Sequence, residues 1–252
     1  MLSYRYFMGL CFLMLGVESL ANDFISARAS LEKAMAAEVR TDKDRARDRN
    51  RKPIETLRFF GLREDSRVIE LLPGNGWYTK LLAPMLRDNG KLYLAIGADR
   101  ALSHLVQVDG FDRISIIAPE ASLSRSEVPG VFDLNLDGFG VTNVDFVLTF
   151  RNYHNFSSAG RKAINEASFQ ALRSGGIYAV VDHTRRHMES SNSENIRRFD
   201  PVLAIKEIQS VGFIFEDFAT LHSRPDDELR YEVGRKSVTG NTDRWTLKFR
   251  KP

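Results

Sequence analysis

The parts of this chain whose residue types and spacing suit chemistry are an acid, a glycine turn and a basic loop that carries a histidine. Glu70 stands four residues before Gly74 in the run Glu70-Leu-Leu-Pro-Gly-Asn-Gly-Trp-Tyr-Thr79. Glycine at 74 and 76 removes side chains so that backbone can approach a ligand closely, and the helix that follows aims unpaired N–H groups at it. Asp99 comes 23 residues after Gly76, at the end of a second apolar run, where a carboxylate can accept both hydroxyls of a ribose. Further along, Arg151-Asn152-Tyr153-His154-Asn155 supplies one candidate base. His154 is suited to removing a proton from an N–H or O–H acceptor, and Asn152 or Tyr153 to hydrogen-bonding that acceptor. A structural histidine bonded to a loop carbonyl is the other reading of His154, and Tyr153 and Phe156 also suit a core or pocket wall.

Other chemistries fit less well. A dinucleotide fingerprint needs a third glycine where Thr79 stands, and no Lys-Ser/Thr pair follows the glycines to make a phosphate loop. His183 and His187 have the spacing of a metal pair beside Asp182, but Thr184 replaces the glutamate of the helical zinc motif and the segment follows a strand, so no metal site is expected. Ser157-Ser158 lies near His154 without the G-x-S-x-G turn of a hydrolase. Asp226-Asp227-Glu228 reads as a solvated loop.

The elements that must position these residues alternate. Apolar runs at 67–72, 91–96, 113–118, 145–150 and 176–182 read as strands, with 213–221 and 243–249 as closing strands. Helical patterns fall at 54–60 between Pro53 and Gly61, then at 77–86 (interrupted by Pro84), 100–108, 159–172 and 201–211. Such alternation implies a mostly parallel seven-stranded sheet with helices on both faces, whose ligand crevice lies at the carboxyl ends of the strands. Residues 24–39 have loose helical spacing, and the alternating charges of 42–52 read as a solvated helix face. Gly240-Asn241 reads as a hairpin turn, with Trp245, Leu247 and Phe249 on one buried strand face.

The chain has 252 residues, 43% of them apolar and 27% charged, enough for one sizeable α/β core. Thirty-six basic against 33 acidic residues leave a net charge of only +3, and acids interrupt the basic runs, so no nucleic-acid partner is expected. The one cysteine, Cys11, excludes an intramolecular disulfide, a cysteine-based zinc site and a catalytic thiol in the mature chain. It lies in a leader: Arg5, an apolar run from Phe7 to Val17, then Ser19-Leu20-Ala21, with small residues placed for a cut after Ala21. Leu10 before Cys11 argues against a lipid-modified cysteine, and the run is too short for a stable membrane anchor. A buried N-terminal helix is the other reading. The expected organisation is a signal peptide at 1–21, a helical segment at 22–60 and the main domain at 61–252, periplasmic or secreted, its oligomeric state left open.

Glu70 to Thr79, Phe150-Arg-Asn-Tyr-His-Asn155, Val181-Asp-His183, Arg198-Phe-Asp-Pro201 and Thr242-Asp-Arg-Trp-Thr-Leu-Lys-Phe-Arg-Lys-Pro252 together resemble the exported bacterial class I S-adenosylmethionine-dependent methyltransferases, over about residues 40–252. The resemblance implies a Rossmann-like class I methyltransferase sandwich, S-adenosylmethionine as cofactor and a small-molecule acceptor that it does not specify. It implies that Glu70, Pro73, Gly74, Asn75, Gly76, Trp77 and Arg151 surround the cofactor. It puts Asp99 near the cofactor's ribose, with the departure that Gly97 occupies the position where many relatives of the broader class carry their strand-end acid. It places Asn152, Tyr153 and His154 at the transferred methyl. Arg197 stands where such a family leads one to expect histidine before Arg198. A non-catalytic, exported ligand-binding domain on the same scaffold is the alternative.

Overall fold

The computed structural model describes residues 26–252 except His104 and Val106; the expected leader at 1–21 lies outside the described residues. Seven strands form one sheet: β1 (Arg67–Leu71), β2 (Lys91–Ala95), β3 (Ser115–Ile117), β6 (Val144–Phe150), β7 (Leu172–His183), β8 (Ile214–Ala219) and β9 (Arg244–Arg250). Their spatial order is β3-β2-β1-β6-β7-β9-β8, parallel throughout except that β9 runs antiparallel to both β7 and β8. All seven expected strands are present. The outer pair is antiparallel because it is joined through residues 220–243 without a crossover helix. This long connection, rather than a two-residue hairpin at Gly240-Asn241, links β8 to β9.

Alternation along each strand builds a core on each face. Val68, Leu94, Leu148 and Val181 point to the side covered by α1 (residues 26–36), α4 (Pro53–Phe60) and α5 (Thr79–Leu86). Ile69, Ala95, Val147, Val180, Leu247 and Phe249 point to the side covered by α7 (Ser158–Ala171) and α8 (Pro201–Gln209). The N-terminal helices share the first of these cores through Leu31, Ala34, Leu57 and Phe60. Pro53 opens α4, and Gly61, at φ 84°, closes it by donating to Leu57 and Arg58 carbonyls.

Beyond the β8–β9 connection, the elements depart from the sequence reading in four further places. The helix expected at 100–108 shrinks to α6 (Asp99–Leu102), where the Ser103 hydroxyl donates back to the Arg100 carbonyl and competes with the helical ladder. A polar antiparallel hairpin, β4 (Ser122–Arg125) with β5 (Phe132–Asn135), stands where no apolar pattern announced it. The charged stretch at 42–52 is a solvated face only in part: Asp42, Lys43, Arg45 and Arg49 are exposed as expected, while its other side turns inward. It folds into α2 (Asp42–Arg45) and α3 (Asp48–Arg51), with Asp44 paired to Lys80 at 2.8 Å and Arg51 buried over the Trp77 ring at 4.4 Å. Asp227 is likewise buried, holding Arg198 through two bonds of 2.8 and 3.0 Å.

One buried histidine fastens α3 to the sheet. His222 donates from Nε2 to the Arg51 carbonyl at 3.0 Å, and its Nδ1 accepts from the Thr246 hydroxyl at 2.7 Å. Burial pulls its pKa from 6.5 down to about 4. The unfolded chain therefore takes up this proton first, and His222 contributes stability that is lost as pH falls from 6.5 through 4. Glu70, raised by burial to about 7, acts in the opposite sense, so the diagnostic quantity is a difference between variants. Chemical denaturation is expected to show His222→Gln less stable than wild type at pH 7 by about 1–3 kcal/mol, the gap narrowing as the pH is lowered toward the depressed value. A gap independent of pH would contradict the neutral clamp.

Candidate active site

Four parallel strands leave the sheet through residues in the left-handed region: Leu72 after β1 (φ 48°), Ile96 after β2 (φ 63°), Ala118 after β3 (φ 51°) and Arg151 after β6 (φ 62°). None is glycine, so each exit costs about 1 kcal/mol or more, and such strain clusters at functional sites. The exits turn the chain sharply away at the carboxyl edge and leave two adjoining cavities there.

The first, of about 600 Å³, is lined by Glu70, Pro73, Gly74, Asn75, Trp77 and Arg151, together with Leu72, Leu105, Phe150 and the inward faces of Asp44, Arg47 and Arg51. Glu70 is buried at the end of β1 and one of its oxygens accepts from the Thr79 hydroxyl at 2.7 Å. Desolvation raises its carboxyl to about 7, against the lowering effects of Thr79 and Arg51. Gly74 has φ 59° and open space where a Cβ would stand, so the turn presents bare backbone to the cavity. Trp77 donates from Nε1 to the Asp44 carbonyl at 3.0 Å and thereby holds α2 over the opening. Tyr78 stacks on Phe150 with centroids 3.6 Å apart.

Three expected residues are placed differently. Gly76 is not part of the cavity lining: a Cβ there would meet Leu105 Cδ1 at 3.0 Å and Ala101 Cβ at 3.4 Å, so this glycine serves the φ 74° turn and close packing against α6 and Leu105. Asp99 is exposed at the start of α6 and outside the cavity wall, which Arg100 beside it joins instead, because the chain turns at Ile96 and Gly97 before an acid can be presented. Tyr153 is core: it is 1% exposed, its hydroxyl donates to Glu207 at 3.0 Å and accepts from Asn165 at 3.0 Å, and its ring packs against Phe199 and Trp245. The short 3₁₀ turn Tyr153–Asn155 sends adjacent side chains in different directions, Tyr153 inward and His154 toward the edge. Asn152 lines the first cavity and donates from Nδ2 to the Leu72 carbonyl at 3.3 Å, bracing the end of β1.

His154 is held by Asp182, a wholly buried carboxylate near the end of β7. One Asp182 oxygen accepts from the His154 backbone N–H at 2.8 Å. The other accepts from His154 Nδ1 at 2.6 Å and from the His183 N–H at 2.7 Å. A carboxylate only accepts, so Nδ1 carries the proton and Nε2 holds the lone pair. This is a base with its tautomer and ring orientation fixed by a third group, the arrangement that general-base catalysis requires. His183 is not a metal partner for His187: it bonds Thr242 at 2.9 Å and burial lowers its pKa, whereas His187 bonds Asp200 at 2.9 Å. Among the described residues no group of His, Cys, Asp and Glu converges for a metal ion. Ser157 caps α7 by accepting from the Gly160 N–H.

The second cavity, of about 570 Å³, is lined by His154, His183, Thr242, Arg244 and Arg197, and shares Lys43, Arg47, Arg51 and Arg151 with the first. A third, near the β4–β5 hairpin, also reaches His154 but shares no wall with the first. Burial lowers the pKa of Arg51 and Arg151 and brings Arg244 to about 10, each helped by the other arginines. Sequence reasoning missed Arg47, Arg51, Asp182 and Arg244 as site residues. Asp182 and Arg244 stood inside motifs already noted, but nothing local marks a charge as folded inward.

No family model matches the chain, and no curated protein matches it. Its likenesses are to solved structures. An S-adenosylmethionine-dependent methyltransferase from Aquifex aeolicus superposes with a TM-score of 0.55 at 15% identity, covering 81% of this chain and 92% of that one. The cyclase SpnF gives 0.53 at 13%, covering 83% and 80%. Human N-acetylserotonin methyltransferase in complex with S-adenosylmethionine gives 0.52 at 11%, covering 88% of this chain and 55% of that one. The chain has the Rossmann-like class I methyltransferase fold.

Proposed function

We propose that the protein is an S-adenosylmethionine-dependent methyltransferase for a small-molecule acceptor and that it acts after export. The observation that carries the reading is the pairing of cavities at the carboxyl edge. One holds the acid and bare glycine turn, the other the oriented base His154, and Arg51 and Arg151 stand between them. The residues of the first cavity fit the cofactor. Glu70 has a second oxygen free of Thr79 to accept from an ammonium group, Gly74 leaves room for close approach, and Arg47 and Arg151 suit a carboxylate.

Bound there, the cofactor supplies a methyl group on a positively charged sulfur. The chain's own part is modest. Glu70 and the turn orient the cofactor, α2 covers it through the Trp77 and Lys80 contacts, and the acceptor lies in the second cavity. Nε2 of His154 takes the proton from the acceptor's N–H or O–H as the methyl is transferred, and Asp182 stabilises the resulting imidazolium. Asp182 also ties down two backbone N–H groups, but a histidine held in one tautomer at the edge of a cavity favours the enzyme over a ligand-binding domain without catalysis.

Cofactor affinity reports on Glu70 directly. In the free protein this carboxyl is half protonated near pH 7, and it must ionise to pair with an ammonium group. Calorimetry with S-adenosylhomocysteine is expected to show Kd falling as pH rises through that range, by up to about tenfold per unit on the acid side, with Glu70→Gln binding more weakly and without that slope. Absence of binding to wild type, or a slope unchanged in Glu70→Gln, would sink the assignment. Export is supported by the Arg5, Phe7–Val17 and Ser19-Leu20-Ala21 pattern. Mass spectrometry of the protein from its own cells should find Asn22 as the first residue; an intact Met1 on soluble cytoplasmic protein would contradict export.

A further inference from the structure

We infer that the methyl acceptor carries an oxyanion, a phosphate or carboxylate group, which docks between Arg51, Arg151 and Arg244 while its nucleophile faces His154. This rests on the methyltransferase reading and names the substrate class of the same site.

The second cavity has no Asp or Glu among its described lining residues. Its cations are nevertheless poorly served by the protein. Arg51 is 9% exposed, and among the described residues its guanidinium makes cation–π contacts, 4.4 Å over Trp77 and 5.3 Å over Tyr78, and no hydrogen bond. Among the described residues Arg151 keeps its Nε buried without a hydrogen-bond partner, and so does Arg244, which is 7% exposed and donates to the Asn50 carbonyl alone, at 3.0 Å. The acids packed nearby give these arginines no direct partner: Asp44 is bonded to Lys80 and Asp182 to His154, acting on Arg151 only at a distance, and Glu70, with one oxygen on Thr79, stands on the first-cavity side near Arg51. Arg197, at the rim, already pairs with Glu232.

Several guanidiniums buried side by side repel one another and lose their hydration, a cost that ring faces and one carbonyl offset in part and a counter-charge would offset further. The cofactor's single carboxylate, bound on the Glu70 side, neutralises one of them at most. Arg244 lines the second cavity alone, beyond the first. Its unbonded N–H groups and those of Arg151 match the planar, bidentate geometry of an oxyanion. Thr242 and Asn155 add neutral polar contacts on the same wall.

Inorganic phosphate is the simplest probe. At constant ionic strength set with chloride, millimolar phosphate should raise the melting temperature of the full chain along a saturable curve. Arg244→Gln should weaken the phosphate Kd about tenfold or more, and Arg151→Gln should do likewise, so a folding failure in one leaves the other to decide. Arg45→Gln, at an exposed arginine that lines none of the three cavities described, should keep the wild-type curve. S-adenosylhomocysteine titrated into the wild type reads the cofactor assignment separately: phosphate binding without it would remove the methyltransferase reading and keep the anion site. The inference is overturned by a wild type that responds to phosphate no more than to chloride, or by both variants saturating as wild type does.

Discussion

Burying guanidinium groups without carboxylate partners is the constraint around which the carboxyl edge of this sheet is organised. A cation taken out of water keeps its charge only where other groups replace the lost hydration. Here the replacements are partial. Trp77 and Tyr78 offer ring faces to Arg51, the Asn50 carbonyl serves Arg244, and Glu70 sits near enough to Arg51 to lower its own pKa against burial. The N-terminal helices exist in this arrangement because Asp44 grips Lys80 and His222 grips the backbone of Arg51.

Much of the fold was legible because buried parallel strands are written as short apolar runs bounded by glycine, proline and acids, as in Arg67–Leu71 before Pro73-Gly74. The β4–β5 hairpin was not, since its residues are largely exposed and polar. The site was legible where chemistry follows a strand end directly, as with Glu70, Gly74 and His154. It was not where adjacent residues diverge: Tyr153 turns into the core and His154 to the edge within one 3₁₀ turn. Nor could the alternating charges of 42–52 show that Asp44 and Arg51 among them turn inward, because the partners that decide it, Trp77 and Lys80, lie more than twenty residues away. A solvated charge run and a folded-back one share the same composition.

The solved structures with this fold include methyltransferases and a cyclase, so the scaffold alone does not choose a reaction. The choice lies in side chains. Asp182 fixes His154 in one tautomer, Arg51 and Arg151 stand at the boundary of two cavities, and Arg244 distinguishes the second from the first. The strained exits at Leu72, Ile96, Ala118 and Arg151 are tolerated in that setting because they turn the chain away from the space a ligand needs.

The division of labour between the two cavities is tested most directly by a crystal structure of the protein with S-adenosylhomocysteine. The expected result is ligand density between Glu70, Gly74 and Trp77, with the sulfur directed past Arg151 toward His154 and the cavity at Arg244 left open to a second molecule. Density in the Arg244 cavity instead, or a ligand bound with its sulfur turned away from His154, would contradict it.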